Sequence, residues 1–524
     1  MSAAQVHHRL GWNTASNYAR TIARLITGLL TFRLLYEELD GELFGIWALL
    51  WSIFGYGALL DLGFGVTVLK RTAEHSAKSE WEALSQLISS VLVYYLGCAV
   101  LAAAGGIAST GTLARLFQVS SANLAVFETT LRVFFVGMGL ALPTCVFSEI
   151  LKGRQRIFAA NATATLFALV NLAAVVAGAR LGWGLPTLLG AAMACVILPN
   201  LLNGWLALRS LPEVRISLHH ASLSTLVSAS GFSLRAFVGM LSSLVRGRTD
   251  QVTISLFLGV AWVPIYQAGA KLGEMFGLFA NQLGDALIPA AAHLHASRKT
   301  SAVRRLALQG MRLTALIGMP VYLGMAFQME TLLSLLTGEE NVSLPAKVAG
   351  QLALLWFFLI AVTQSVFQSV FFMCGREREL ANMAAGEAAM NIALSVLLIS
   401  LFGTVSSVIA ASLAATLYFA LRHRLPLASR ELGVSQLELA RQLIGRPALL
   451  AMPMVGWFLL SDGLLAELPA GPWVGLVVNA LAAAILSATS LWFGGLTTAE
   501  KARGAALFNR VLKTSKPLAT QPAS

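Results

Sequence analysis

Long runs of apolar residues recur along the chain, parted by short stretches that hold charges, glycines or prolines. They lie near 12–35, 43–68, 83–108, 124–150, 157–179, 185–208, 223–258, 264–292, 303–328, 348–373, 379–401, 404–421, 447–462 and 472–495. About 20 apolar residues in a helix span the hydrocarbon core of a bilayer, so the pattern predicts an all-α polytopic membrane protein of about 14 transmembrane helices. Lipid supplies no hydrogen bonds, and a helix satisfies its own backbone. The 223–258 run is long for one crossing, but splitting it would reverse every later connection. It is read as one helix.

The connections test that reading. With the N-terminus inside, the odd-numbered ones are neutral or acidic, carrying Glu37, Glu38, Asp40 and Glu42 in the first and Glu330, Glu339 and Glu340 in the ninth. The even-numbered ones are basic, with Lys70, Arg71 and Lys78, then Lys152, Arg154 and Arg156, then Arg209 and Arg215, then Arg298, Lys299, Arg304 and Arg305. Most of the 37 Lys and Arg therefore fall on one side, as the positive-inside rule requires. Both termini are expected in the cytoplasm.

Composition narrows the classes. Hydrophobic residues make up 57% of the 524 positions and charged ones 12%, with a mean hydropathy of +0.73. A soluble globule of this length would carry roughly twice that charge. The net charge of +12 is scattered between apolar runs, so it marks membrane topology and not nucleic-acid binding. Cys98, Cys145, Cys195 and Cys374 lie far apart in apolar surroundings, which predicts buried thiols and neither disulfide nor zinc. The eight histidines sit mostly beside basic connections. The first apolar stretch carries Arg20, Arg24 and Arg33 without a small-residue cleavage site, so it reads as a retained helix. No nucleotide-binding loop, catalytic triad or metal motif occurs, so no cofactor is expected. The cation-poor connections are too short for a catalytic domain, which argues against a membrane-embedded glycan polymerase or ligase.

The chain repeats itself. Leu-Lys-Gly-Arg-Gln-Arg at 151–156 and Met-Cys-Gly-Arg-Glu-Arg at 373–378 share a Gly-Arg-x-Arg turn, each followed by a helix bearing asparagines, Asn161 and Asn171 or Asn382 and Asn391. The expected organisation is a six-helix lobe over 1–215, a second over 216–430, and two further helices with a tail over 431–524.

Charges inside the spans point to function, because each costs at least about 2.5 kcal/mol there unless it faces protein or water. Asn13, Asn17, Arg20, Arg24, Thr27 and Thr31 recur at steps of three and four on one face of the first helix. The eighth helix does the same with Gln267, Lys271, Glu274, Asn281 and Asp285, and the seventh carries Arg235, Arg246, Arg248 and Asp250. Lys271 with Glu274, and Arg246 with Asp250, are spaced to neutralise each other as structural pairs. Arg20 and Arg24 have no acid on their face, and an unneutralised arginine pair suits an anion. A guanidinium donates two parallel hydrogen bonds to phosphate and keeps its charge when buried. The expected substrate-binding set is Asn17, Arg20, Arg24, Arg235, Arg246, Arg248 and Lys271. Asp61, Asp250, Glu274 and Asp285 are the acids available for ion coupling, although Asp61 would equally serve as a helix cap.

The stretch from Arg33 to Arg71, with Arg-Leu-Leu-Tyr-Glu-Glu-Leu-Asp-Gly-Glu-Leu-Phe-Gly-Ile-Trp-Ala-Leu-Leu and then Leu-Leu-Asp-Leu-Gly-Phe-Gly, resembles the polysaccharide-transporter flippases. So do the 151–156 turn and Gly-Val-Ala-Trp-Val-Pro-Ile-Tyr-Gln-Ala at 259–268. These O-antigen and exopolysaccharide flippases share a superfamily with multidrug and toxin extrusion transporters and the lipid II flippase. The resemblance implies two six-helix lobes around a central cavity, and alternating access. It also implies an undecaprenyl diphosphate-linked oligosaccharide as cargo in the bacterial inner membrane, with the cavity cations, Arg20 and Arg24 among them, holding the diphosphate. A single chain should suffice, with glycosyltransferases and a polysaccharide polymerase as expected neighbours. The competing expectation is a proton- or sodium-coupled multidrug exporter, which would favour acids over arginines in the cavity.

Overall fold

The computed structural model describes residues 3–154, 156–339, 342–372, 374–465, 472–498 and 501; among them the chain is all-α, with no strand. We number its long helices α1 (Ala3–Glu38), α2 (Gly41–Asp61), α3 (Phe64–Lys78), α4 (Trp81–Ala108), α5 (Leu124–Gly153), α6 (Ile157–Leu181) and α7 (Leu185–Arg209). There follow α8 (Leu223–Phe257), α9 (Val263–Ala296), α10 (Thr300–Phe327), α11 (Leu344–Phe372), α12 (Arg378–Phe402), α13 (Val405–Leu432), α14 (Gln436–Ser461) and α15 (Val474–Gly495). Each predicted apolar run falls on one of them except 43–68, which α2 and α3 share. Among the described residues, eleven are long and apolar enough to cross a membrane. The three predicted crossings outside that set are α1, α8 and α9, on which the polar positions lie.

Two boundaries differ from expectation. The second span does not run to 68: Leu62 (φ 46°) and Gly63 (φ 78°) both adopt left-handed conformations, which ends the helix at Asp61. The chain restarts as α3, an amphipathic helix with Phe64 and Val68 buried and Lys70 and Arg71 exposed. The twelfth span, expected to end at 421, continues to Leu432 through a wide π-helical turn over Ala420–Arg424. Arg422 and Arg424 therefore lie within a helix, and Arg424 is buried. A basic cluster looks like a connection in sequence, whereas packed neighbours can hold it inside a helix. The long α8 is one uninterrupted helix.

The chain divides into two compact units. The first holds 1–275, 333–353 and 378–416, so it draws on both halves of the sequence. In it α5 packs on α4 and α7 at glycines, where a Cβ on Gly106 would collide with the Phe135 ring and one on Gly137 would lie 2.7 Å from Met193. Where the surrounding lipid is as apolar as leucine, such close contact, not water exclusion, holds helices together. Val68, Leu84, Ile88, Tyr95, Val146 and Ile150 form one buried cluster beside them. The second unit holds 276–332, 354–377 and 417–524. There α14 and α15 pack together, with Trp457 Nε1 donating to Asn479 Oδ1 at 2.9 Å, and Phe327 of α10 stacks on Phe458 at 5.2 Å. The four cysteines are free thiols, half-buried and not fully enclosed.

One contact in the first unit gives a stability prediction. A Cβ on Gly269 of α9 would lie 2.7 Å from the backbone nitrogen of Gly350 in α11. Gly269→Val should cost about 1–3 kcal/mol by overpacking, read as a lower unfolding temperature in detergent. Gly97→Val, which meets nothing within 4 Å, should leave it unchanged.

Candidate functional site

The first unit gathers the described members of the predicted site. Helix α1 lies along α6, and there the two arginines part company. Arg20 Nη1 donates to Asn161 Oδ1 at 3.1 Å, and Asn161 Nδ2 donates to Ser16 Oγ at 2.9 Å. Asn161 is buried and orients Arg20. Thr27 turns back on its own helix, donating to Ala23 O at 2.8 Å. Arg24 is exposed, and its side chain makes no hydrogen bond or ion pair to any described residue.

Helix α2 connects this face to α8, since it touches α1 and packs on α8. Tyr56 and Thr249 share a 2.7 Å hydrogen bond, and Ser52 donates to Gln251. Between them the half-buried Arg248 lies over Gly55, where a Cβ would be 3.1 Å from its Nε. A side chain at position 55 would crowd the guanidinium unless it shifted by a few tenths of an ångström. Arg248 has no carboxylate partner among the described residues. Lys271 and Glu274, by contrast, form the ion pair their spacing allows, at 3.6 Å. The side chains of Asn17, Arg235, Arg246 and Asp285 lie outside the described residues.

The acids separate as sharply. Asp250 is completely buried, and its Oδ2 accepts from Ser412 Oγ at 2.9 Å and from Tyr266 Oη at 3.3 Å. Asn391 Nδ2 donates to Ser412 Oγ at 2.5 Å, and Glu387 accepts from Thr416 at 2.7 Å. Three buried side-chain atoms on α8 and α12 have no hydrogen-bond partner among the described residues: Asp250 Oδ1, Asn391 Oδ1 and Ser395 Oγ. Leaving buried acceptors empty costs roughly 1–3 kcal/mol each, more for a charge. Asn391 and Asn161 entered the sequence reading only as markers of the repeat, and Ser395 and Ser412 not at all. The signal was present, because Glu387, Asn391 and Ser395 recur every four residues on one face of α12.

Asp61 does something simpler. Its Oδ1 accepts from the Gly65 backbone N–H at 2.8 Å and from Tyr95 Oη, securing the break between α2 and α3. That is a helix-start cap on a buried tyrosine. Asp61→Asn should keep transport near the parental rate, while Asp61→Ala should lose about 1–2 kcal/mol of stability in thermal unfolding. Transport lost in the asparagine variant with stability intact would instead make Asp61 an ion-coupling group.

The second unit adds two features that the sequence reading did not select. Arg312 is buried within α10. A cavity of about 530 Å³ between α10, α14 and α15 is lined by apolar side chains, among them Pro320, Val321, Met325, Met454, Phe458 and Leu476.

The fold is shared with known transporters. It matches a lipid II flippase MurJ in an inward closed conformation at a TM-score of 0.70 and 11% identity, covering 95% of this chain and 99% of that one. An inward-facing multidrug resistance MATE transporter of the MOP superfamily matches at 0.66 and 14% identity, over 78% of this chain and 94% of that one. A MOP superfamily transporter from Pyrococcus furiosus, described as having a binding pocket of reversed polarity, matches at 0.54 and 15% identity, over 83% of this chain and 94% of that one. No curated protein sequence matches significantly. The family model for a polysaccharide biosynthesis protein matches residues 33–344, well over half of the chain. With that match, and with the all-α membrane architecture on which Arg24 and Arg248 sit, the chain belongs to the polysaccharide biosynthesis protein family.

Proposed function

We propose that the protein is a flippase that moves a polyprenyl (undecaprenyl) diphosphate-linked oligosaccharide across the bacterial inner membrane by alternating access. The observation that carries this reading is that the side chains of Arg24 and Arg248 have no carboxylate partner among the described residues. Exposed or half-buried guanidiniums that no acid neutralises select an anionic headgroup and repel an organic cation. Arg20, Lys271, Arg235, Arg246 and Asn17 extend the set for diphosphate and glycan. The apolar cavity in the second unit suits a hydrocarbon chain. The family's part in polysaccharide biosynthesis and the fold shared with a lipid II flippase support an amphiphilic lipid-linked cargo.

In this reading α1, α8 and α9 cross the membrane with the eleven apolar helices, their polar faces turned inward. Both termini are cytoplasmic, and the chain works as one copy in two lobes, 1–215 and 216–430, with 431–524 appended. Glycosyltransferases supply the lipid-linked repeat unit and a polymerase consumes it. Asp250 carries the coupling ion, because its buried Oδ1 has no hydrogen-bond partner among the described residues and is open to a proton or a small cation.

The MATE likeness supports a second reading, a proton- or sodium-coupled multidrug exporter. One experiment separates the two: purified protein in proteoliposomes, given in turn a fluorescent polyprenyl diphosphate oligosaccharide and an organic cation. Translocation of the lipid without export of the cation is the expected result. Export of the cation down an ion gradient, with no movement of the lipid, would replace the flippase by the exporter.

A further inference from the structure

Four π-helical turns occur among the described residues, and three of them line a single cavity of about 70 Å³ in the second unit. Ala361–Ser365 of α11 supplies Val362 and Thr363, Ala420–Arg424 of α13 supplies Leu421 and Arg424, and Arg441–Gly445 of α14 supplies Leu443 and Ile444. A π turn inserts a residue and loosens the helix's own bonding, so it is rare and is often found at functional sites. The wall of the cavity is apolar except for two residues. The Thr363 hydroxyl turns back to Leu359 O at 2.6 Å, and Arg424 is 6% exposed. The rim is apolar and open, with Leu417, Leu421 and Ile444 between 42% and 58% exposed.

Charge around the cavity is one-sided. Between 417 and 446 the chain carries five arginines and two glutamates, and both glutamates are engaged. Arg376 bonds Glu431 at 2.5 Å, and Gln442 Nε2 donates to Glu438 at 2.6 Å. Arg422 and Arg441 adjoin the lining residues Leu421 and Ala440; both are exposed, and their side chains make no hydrogen bond or ion pair to any described residue. Arg304 of α10 adds a cation alongside, its Nη1 3.4 Å from where a Cβ on Gly433 would lie.

We propose that this cavity is a docking site for an anionic phospholipid of the surrounding bilayer, of the phosphatidylglycerol class. The phosphate sits at Arg424 with Arg422 and Arg441 flanking it, and an acyl chain runs over Leu417, Leu421 and Ile444. Size selects this occupant: room for a few waters takes a headgroup phosphate, whereas the glycan of a lipid-linked oligosaccharide would not fit. Charge selects it as well, because the ammonium of a zwitterionic lipid would meet the arginines and be repelled. The inference needs the bilayer around the protein and not the identity of its cargo.

The test is lipid binding to the purified full-length protein in a neutral detergent, titrated with phosphatidylglycerol or phosphatidylcholine and read by mass spectrometry of the intact complex. The parent should hold phosphatidylglycerol at least about fivefold more tightly than phosphatidylcholine. Arg422→Gln with Arg441→Gln should weaken phosphatidylglycerol binding by about tenfold and leave phosphatidylcholine unchanged, since a surface arginine near an anionic lipid is worth about a fivefold factor. Arg424→Gln should remove the preference altogether; Arg424 is buried, so the surface pair decides if that variant does not fold. Arg156→Gln with Arg215→Gln, which takes two exposed arginines from the first unit, should change neither affinity. Phosphatidylglycerol binding unchanged in the Arg422 and Arg441 variant, or weakened as much in the Arg156 and Arg215 variant, would overturn the proposal. A polyprenyl diphosphate oligosaccharide that displaces phosphatidylglycerol from the parent at equal concentration would give the site to the cargo and overturn it too.

Discussion

Arg24→Ala is expected to lower lipid-linked oligosaccharide transport by about ten- to a hundredfold while leaving the unfolding temperature unchanged. The Arg24 side chain is exposed and bonds no described residue, so its removal costs the folded protein little. Its value would lie in charge-assisted hydrogen bonds to the diphosphate, worth roughly 1.5–3 kcal/mol, and about 1.4 kcal/mol is a factor of ten. Arg24→Lys keeps the charge but loses the two-pronged geometry, so it should fall between the two. Arg20→Ala makes the informative contrast, because Arg20 already spends one N–H on Asn161 and ties α1 to α6. That variant should lose less transport and more stability. Equal transport in wild type and Arg24→Ala, measured at matched protein in proteoliposomes, would remove Arg24 from the substrate site.

The second large effect concerns Asp250. Asp250→Asn should abolish the dependence of transport on its driving ion and slow transport by about tenfold or more. The buried carboxylate has one oxygen bonded by Ser412 and Tyr266 and one with no partner. A bound cation or proton supplies the missing interaction, and asparagine removes the charge that attracts it. Thermal unfolding gives an independent readout. An ion that binds only the folded state stabilises it by about 2.7 kcal/mol at a hundred times its dissociation constant, so the wild type should melt higher as sodium is added or pH is lowered. Asp250→Asn should show no such rise, and Ser395→Ala a smaller one. A wild type indifferent to both ions, with Asp250→Asn transporting at its rate, would leave the cluster a purely structural network.

Both effects depend on distinctions that the sequence leaves open. On spacing alone Arg20 and Arg24 are equivalent, as are Asp61, Asp250 and Glu274. The spacing of Lys271 and Glu274 fitted an ion pair or a ligand role, and the structure shows them paired. For Asp61 it fitted a cap or an ion site, and the residue ends α2 with its carboxylate bonded to the Gly65 N–H in the first turn of α3. Arg248 became prominent through a glycine across from it on another helix. Ser395 and Ser412 drew no notice, because a serine in an apolar run is ordinary until its neighbours are known.

What the sequence determined by itself is what depends on local chemistry and on the bilayer as solvent. The apolar runs dictate helices, because an unpaired backbone group in lipid costs several kcal/mol, and steps of three and four place polar residues on one helix face. The helical class, the positions of the fourteen runs, the unbroken α8 and the polar character of α1, α8 and α9 follow from that arithmetic. Tertiary structure alone decided the break at Leu62 and Gly63, the continuation of α13 through its π-helical turn, and which charges are spent on neighbours. The spent charges are settled by side chains more than a hundred positions apart, such as Arg20 with Asn161 or Asp250 with Ser412, and the break by Asp61 with Tyr95. A local pattern can show that a charge lies within a membrane helix; only the packed neighbour decides whether the charge is already satisfied.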